Sequence, residues 1–188
     1  RLSRLQPVPI HFMPLLQGEP WHYRRRVRLS VLFDSKNRKL NIGLRRKNSQ
    51  QIIPIEHCLV LEQPLNDLLP KLTALFEQWT TPQQLGHIEL IAADNGIAML
   101  LRHIKNIDET DRTLLLQFAE QHQLMLFVQE HDNIEHWQGE QPFYRLDDDL
   151  TLQFDIRDFI QINAQLNRQM IATALDWLEL NQQDHVLD

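Results

Sequence analysis

Between Trp21 and Arg45 the chain alternates with a period of two, and that alternation most constrains its fold. Tyr23, Val27, Leu29, Val31 and Phe33 share one parity, and Arg24, Arg26 and Arg28 share the other, with Arg25 on the mostly apolar side. Successive side chains of a strand point to opposite faces, so residues 21–33 read as a strand with one apolar and one basic face. Asp34-Ser35-Lys36-Asn37 supplies turn-forming residues. Leu40, Ile42 and Leu44 then alternate with Lys39, Asn41 and Arg45 in a second strand. The resulting hairpin places Arg24, Arg26, Arg28, Lys39 and Arg45 in two basic rows on one sheet face. Same-face residues stand about 6.6 Å apart, close to the roughly 6–7 Å between phosphates of an extended nucleic-acid strand. The face reads either as a solvated outer surface or as a surface that contacts RNA.

The distribution of charge bears on that choice. The net charge is −6, but residues 1–47 hold 12 Lys and Arg against only Glu19 and Asp34, a balance of +10. The remainder holds 7 Lys and Arg against 23 Asp and Glu, a balance of −16. This describes a basic patch on an acidic body. A hydrophobic fraction of 43% is ample for a core. No apolar run reaches the ~18 residues of a membrane-spanning helix, and Arg-Leu-Ser-Arg-Leu at the start offers no secretory signal. A single cysteine excludes an intramolecular disulfide and suits a reducing cytoplasm.

Residues 1–20, punctuated by Pro7, Pro9, Pro14 and Pro20, read as an irregular lead-in from something upstream. Gln51 to Ile55 is a short third strand. Leu65, Leu68, Leu69, Leu72, Leu75, Phe76 and Trp79 line one face of a helix. His87 to Asp94 and Ile97 to Ile104 form a hairpin about an Asn95-Gly96 turn. Glu109 to His122 is a helix capped by Asp108 or Thr110, and Leu124 to Gln129 a strand. Glu130 to Pro142 is polar and reads as a loop. Phe143 to Arg145 and Leu150 to Phe154 are short strands about Asp147-Asp148-Asp149, which reads as a solvated turn rather than a metal site. His131 and His136 lack a metal-binding context.

Arg157-Asp158-Phe159-Ile160-Gln161-Ile162-Asn163 is a short extended or looping segment that feeds a helix from Ala164 to Leu178. Asn163 is a helix N-cap residue type. Leu166, Met170, Ala174 and Leu178, widened by Ile171, Leu175 and Trp177, form the apolar face. Gln161 and Asn163 carry amides able to read a base edge or a carboxylate, and Phe159 offers a ring beside them. Val186-Leu187-Asp188 then reads as the first strand of a doubly wound fold, in which ligands sit at the carboxyl ends of the strands. The expected fold is an α+β central domain with mostly antiparallel, hairpin-linked strands, followed by the first helix and strand of a Rossmann-like α/β domain. The boundaries are a lead-in at 1–20, the central domain at 21–155 and the truncated second domain at 156–188.

Three stretches, in this order, carry a resemblance: W-H-Y-R-R-R-V-R-L-S at 21–30, I-E-H-C-L-V-L around Cys58, and R-D-F-I-Q-I-N-A before the helix and V-L-D. From Pro20 to Asp188 the chain resembles the 23S ribosomal RNA (uracil-5-)-methyltransferases, which use S-adenosylmethionine. The resemblance implies an RNA-binding central domain, the opening of a methyltransferase domain, 23S ribosomal RNA as partner, a cytoplasmic monomer and no membrane. In that family a cysteine thiolate adds to C6 of uracil, C5 takes the methyl group, and a carboxylate base removes the C5 proton to give 5-methyluridine. The target base must leave its stack to be reached.

The nucleophile and base would lie beyond Asp188. No catalytic residue is therefore assigned within 1–188, and this fragment alone is expected to be inactive. Gln161 matches the family's glutamine at the cofactor and target-base pocket, with Phe159 and Asn163 flanking it; Asn163 equally reads as a helix cap. A lone cysteine is ordinarily a small buried apolar residue. The resemblance instead makes Cys58 the fourth ligand of a [4Fe–4S] cluster whose other cysteines lie upstream, and hence a free thiol here. Two alternatives stay open: a transfer-RNA uracil-5-methyltransferase, a branch that lacks the cluster, and a non-catalytic RNA-binding module.

Overall fold

Strands rich in Leu, Ile and Val dominate the middle of the chain, and in the computed structural model they build one seven-stranded sheet. Residues 12–146 and 150–186 are described. The strands are β1 (Arg26–Asp34), β2 (Lys39–Arg45), β3 (Ile52–Pro54), β4 (Leu85–Ala93), β5 (Gly96–His103), β6 (Leu124–Glu130) and β7 (Asn133–Gln138). They lie side by side in the order β3-β2-β1-β4-β5-β6-β7. Every neighbouring pair is antiparallel except β5 and β6, which are parallel. A parallel pair needs a crossover, and helix α2 (Glu109–Gln121) makes it. Helix α1 (Gln63–Phe76) lies between β3 and β4 in the chain. Strands β8 (Phe143–Arg145) and β9 (Thr151–Gln153) pair separately.

Two apolar clusters, one on each face of the sheet, follow from strand parity. On one face Val27, Leu29, Val31, Ile88, Leu90, Met99, Leu101, Leu126 and Val128 meet the α1 stripe and Leu115, Phe118 and Ala119 of α2. The other face is covered only in part. There Ile91, Ala98, Leu100, Met125 and Phe127 are capped by Phe154, Ile156 and Ile160. Strands β4, β5 and β6 thus have apolar neighbours on both sides, which explains their nearly unbroken apolar sequence.

Local chemistry fixes the joints. The Asp34 carboxylate accepts from the backbone N–H groups of Lys36 and Asn37 and from the Asn37 amide, closing the β1–β2 turn. A Cβ at Gly43 would stand 2.0 Å from the Ile53 carbonyl oxygen, so β3 can approach β2 only because that residue is glycine. Asp108 caps α2 through the N–H of Asp111.

The compact unit runs from Pro20 to Ala164; described residues 12–19 and 165–186 belong to a second unit. Helix α3 (Ala164–Leu178) forms as its periodicity predicts, and none of its residues is buried.

Several expectations are corrected. Strand β1 begins at Arg26 rather than residue 21, and Arg24 makes isolated bridges instead. The two-residue turn between β4 and β5 is Asp94-Asn95: Gly96 already pairs with Ala93. The polar stretch after Glu130 contains β7, because His136 stacks on Phe127 at 4.3 Å and Arg112 lies over the Trp137 ring. Rings used as a flat cover leave no apolar alternation to read. Val186 lies in no strand, and Leu187, Asp188, Asp147-Asp148-Asp149 and residues 1–11 are outside the described residues. Among the described residues, the helix of the expected helix–strand opening of a second domain is present, and most of the expected strand lies outside them.

Candidate nucleic-acid interface

The residues just before β1 are tied to two other segments by their backbone. The Arg24 N–H donates to the Val60 carbonyl at 2.8 Å, and the Glu62 N–H donates to the Arg24 carbonyl at 3.0 Å. Arg24 also bridges Asn163. Arg25 is 4% exposed. Its N–H donates to the Ile162 carbonyl at 2.9 Å and its Nε to the Gln161 carbonyl at 2.7 Å. Its guanidinium lies over the Tyr144 ring, 5.3 Å from the centroid. A charge so buried requires such partners.

The segment held in this way has its own parity. Phe154, Ile156 and Ile160 point inward, whereas Phe159 is 82% exposed and Gln161 is exposed. Its turn is closed by the Asp158 N–H donating to the Asp155 carbonyl at 2.8 Å. The Arg157 guanidinium donates to Asp155 and holds that carboxyl below the usual carboxylate range. An exposed ring and amide on a fixed backbone suit contact with a ligand or a nucleobase. For Asn163 the bridge to Arg24 is the structural role on view.

The outer face of β1 carries its basic row, but the next strand sets Glu89 and His87 among the arginines. Arg26 Nη2 donates to Glu89 Oε2 at 2.9 Å and to the Ile156 carbonyl at 3.3 Å, and Nη1 donates to the Asp158 carbonyl. Arg28 Nε lies 3.7 Å from Glu89 Oε1, and Arg28 Nη2 is 3.1 Å from His87 Nδ1. A guanidinium only donates, so His87 Nδ1 accepts and Nε2 carries the proton, facing Glu89 Oε1 at 3.6 Å. Burial first, then the charges of Arg28 and Arg102, push the His87 pKa down to about 4 against the opposing pull of Glu89. His87 is therefore neutral at pH 7.

Arg24, Arg26, Arg28, Glu89, Cys58 and Ile162 line one open concavity of about 670 Å³, together with apolar Leu44 and Ile55. The Cys58 loop is held by buried Asn66: its Oδ1 accepts from the Cys58 N–H at 2.8 Å, and its Nδ2 donates to the Cys58 and Leu61 carbonyls. A [4Fe–4S] cluster ordinarily takes four thiolates. The chain has one cysteine, and among the described residues no group of three or more His, Cys, Asp and Glu is placed to hold a metal ion. The residues present do not fit a cluster by themselves.

Lys39 and Arg45 are exposed and stand apart from that concavity. Lys39 pairs across the strands with Asp34. Arg45 lines a second concavity with Arg46, Lys47 and Asn48 in the β2–β3 loop. Among the described residues no carboxylate forms an ion pair with Arg45, Arg46 or Lys47. The sequence reading missed Arg46, Lys47, His87, Glu89 and the linking role of Arg25. The signal for the buried pair was available: His87 and Glu89 interrupt an apolar strand at i, i+2, and hence lie on one face.

No family model matches the chain. Over its whole length the chain is 60% identical to the 23S rRNA (uracil(1939)-C(5))-methyltransferase RlmD of Histophilus somni and 58% identical to that of Haemophilus parainfluenzae, and it covers 43% of each. It is 48% identical to the corresponding protein of Haemophilus ducreyi, covering 42% of it. The crystal structure of the Pyrococcus abyssi tRNA (uracil-54, C5)-methyltransferase in complex with S-adenosyl-L-homocysteine matches with a TM-score of 0.63 at 16% identity, over 84% of this chain and 42% of that one. That likeness concerns the fold. Among the described residues no helix is long and apolar enough to cross a membrane. By sequence the chain is similar to part of the curated 23S rRNA uracil-C5-methyltransferases, and it spans less than half the length of the relatives it matches.

Proposed function

We propose that this chain is part of an S-adenosylmethionine-dependent enzyme that forms 5-methyluridine in 23S ribosomal RNA, in the cytoplasm, through a cysteine adduct at C6. The nucleophile and the base lie outside residues 1–188. One observation carries the reading: identity of 58–60% with the curated relatives along the entire chain. S-adenosylmethionine, when bound, supplies the electrophilic methyl group. The residues here hold RNA and form one wall of the reacting site.

Residues 21–155 act as the RNA-binding domain, with Arg24, Arg28, Lys39 and Arg45 on phosphates. Such contacts position RNA without reading its sequence. Residues 156–188 open the methyltransferase domain, where Phe159, Gln161 and Asn163 face the cofactor or the target base. The exposed Phe159 and Gln161 side chains on a fixed backbone support that assignment. Cys58 is the fourth thiolate of a cluster completed by cysteines outside this chain, and its anchored loop supports that role.

The test is methyl transfer by the full-length protein from labelled S-adenosylmethionine to 23S rRNA and to tRNA transcripts. The reading requires 5-methyluridine in the 23S transcript. Label in tRNA alone, or in neither, overturns it.

A further inference from the structure

Arg26 belongs to the basic row of β1, and by charge alone it would be counted as a phosphate contact. Its surroundings point elsewhere. Both terminal nitrogens are engaged inside the protein: with Glu89, with the Ile156 carbonyl and with the Asp158 carbonyl. Its side chain is 21% exposed against 60% for Arg28 two residues on. Arg25, its neighbour, holds the next part of the same segment through the carbonyls of Gln161 and Ile162. Two consecutive residues, one just before β1 and one at its first position, therefore grip one stretch at two points, one on each side of Phe159 and Ile160. Ile156 and Ile160 anchor the same stretch through burial at 1% and 4% exposure.

We propose that Arg25 and Arg26 are positioning residues: they clamp the Ile156–Ile162 segment to the start of the sheet, and Glu89 aims the Arg26 fork at it. The planar fork of arginine reaches acceptors in two directions at once, which the single ammonium of lysine does not. The clamp sets where Phe159 and Gln161 stand before RNA arrives. Its consequence for turnover rests on the function proposed above; its consequences for the segment itself do not.

The experiment compares full-length wild type with Arg26→Ala, Arg26→Lys and Glu89→Gln. Three quantities are read: amide hydrogen exchange across residues 156–162, RNA affinity with its salt dependence and bound stoichiometry, and turnover. A clamp predicts a rise in exchange of about tenfold or more, confined to 156–162, for both Arg26 variants, and a smaller rise for Glu89→Gln. The salt slope and stoichiometry of RNA binding stay at wild-type values, while turnover falls about tenfold with an unchanged KM for RNA. A merely destabilised protein would lose binding stoichiometry in proportion to turnover.

The proposal is overturned if exchange at 156–162 is unchanged in Arg26→Ala. It is equally overturned if Arg26→Ala lowers the salt slope and Arg26→Lys restores it, because charge alone would then be the role. If the wild-type protein makes no 5-methyluridine, the proposed function fails, while exchange and binding still decide the clamp.

Discussion

Arg25 and Arg26, where the chain enters β1, and the basic residues at the end of β2 and in the loop after it differ in what surrounds them. Arg25 is buried under Tyr144 and bound to two backbone carbonyls, and Arg26 is bound to Glu89 and two more. Arg45, Arg46 and Lys47 line an open surface, with no carboxylate paired to them among the described residues. Counted along the sequence, both groups are the same basic patch. A single carboxylate at the right parity on β4, and a segment returning from residues 155–162, divide them into residues bound to other parts of the protein and residues on an open surface with no carboxylate beside them.

The largest expected effect lies on the buried side of that division. Arg25→Ala leaves the Gln161 carbonyl without its donor and empties a buried site. It should destabilise the protein by about 2–4 kcal/mol, read as a drop in the urea midpoint. A cost within ~0.5 kcal/mol, the ordinary range for surface positions, would erase the distinction between the two groups. Asn66→Ala should cost about 2–3 kcal/mol by the same measurement, because three hydrogen bonds of a buried side chain, two to Cys58 and one to Leu61, are lost together.

His87 gives an effect of intermediate size. Its folded pKa of about 4 lies below the ordinary value of 6.5, so the unfolded chain binds the proton more readily. Stability conferred by neutral His87 is present above pH 6.5 and is lost as pH falls from 6.5 toward 4, by on the order of 1–3 kcal/mol. His87→Asn should flatten urea midpoints measured across that window. An equally steep decline in the variant would remove His87 from the account. The smallest effect on stability should come from Arg45→Ala, within about 0.5 kcal/mol, and on the proposed function it should weaken RNA binding in a salt-dependent way.

The legible part of the fold was the part written in strand and helix periodicity. The arginine–valine alternation of β1, the α1 stripe and the Asp108 cap all report local chemistry, and each forms close to where it was read. Strand β7 was hidden because only Ile134 and Trp137 pack on the apolar clusters, and they differ in parity, while His136 stacks on Phe127 and Arg112 lies over Trp137, which leaves no apolar alternation. At the site, the sequence picked out Gln161, Phe159 and the arginines by residue type. It did not separate Arg26 from Arg45, because what separates them is the β1–β4 register that sets Glu89 beside Arg28. Register between strands more than fifty residues apart is a tertiary property. The buried role of Arg25 was half legible: its parity put it on the apolar side, and its acceptors come from far along the chain.

The division of the basic residues is tested most directly by the salt dependence of RNA affinity in the full-length protein, measured for Arg26→Ala and for the triple variant Arg45→Ala, Arg46→Ala, Lys47→Ala. Each phosphate contact to single-stranded nucleic acid contributes about 0.7 to the slope of log affinity against log salt. The triple variant should therefore lose about 2 from that slope, and Arg26→Ala should lose nothing. A slope lowered in Arg26→Ala and unchanged in the triple variant would contradict the account.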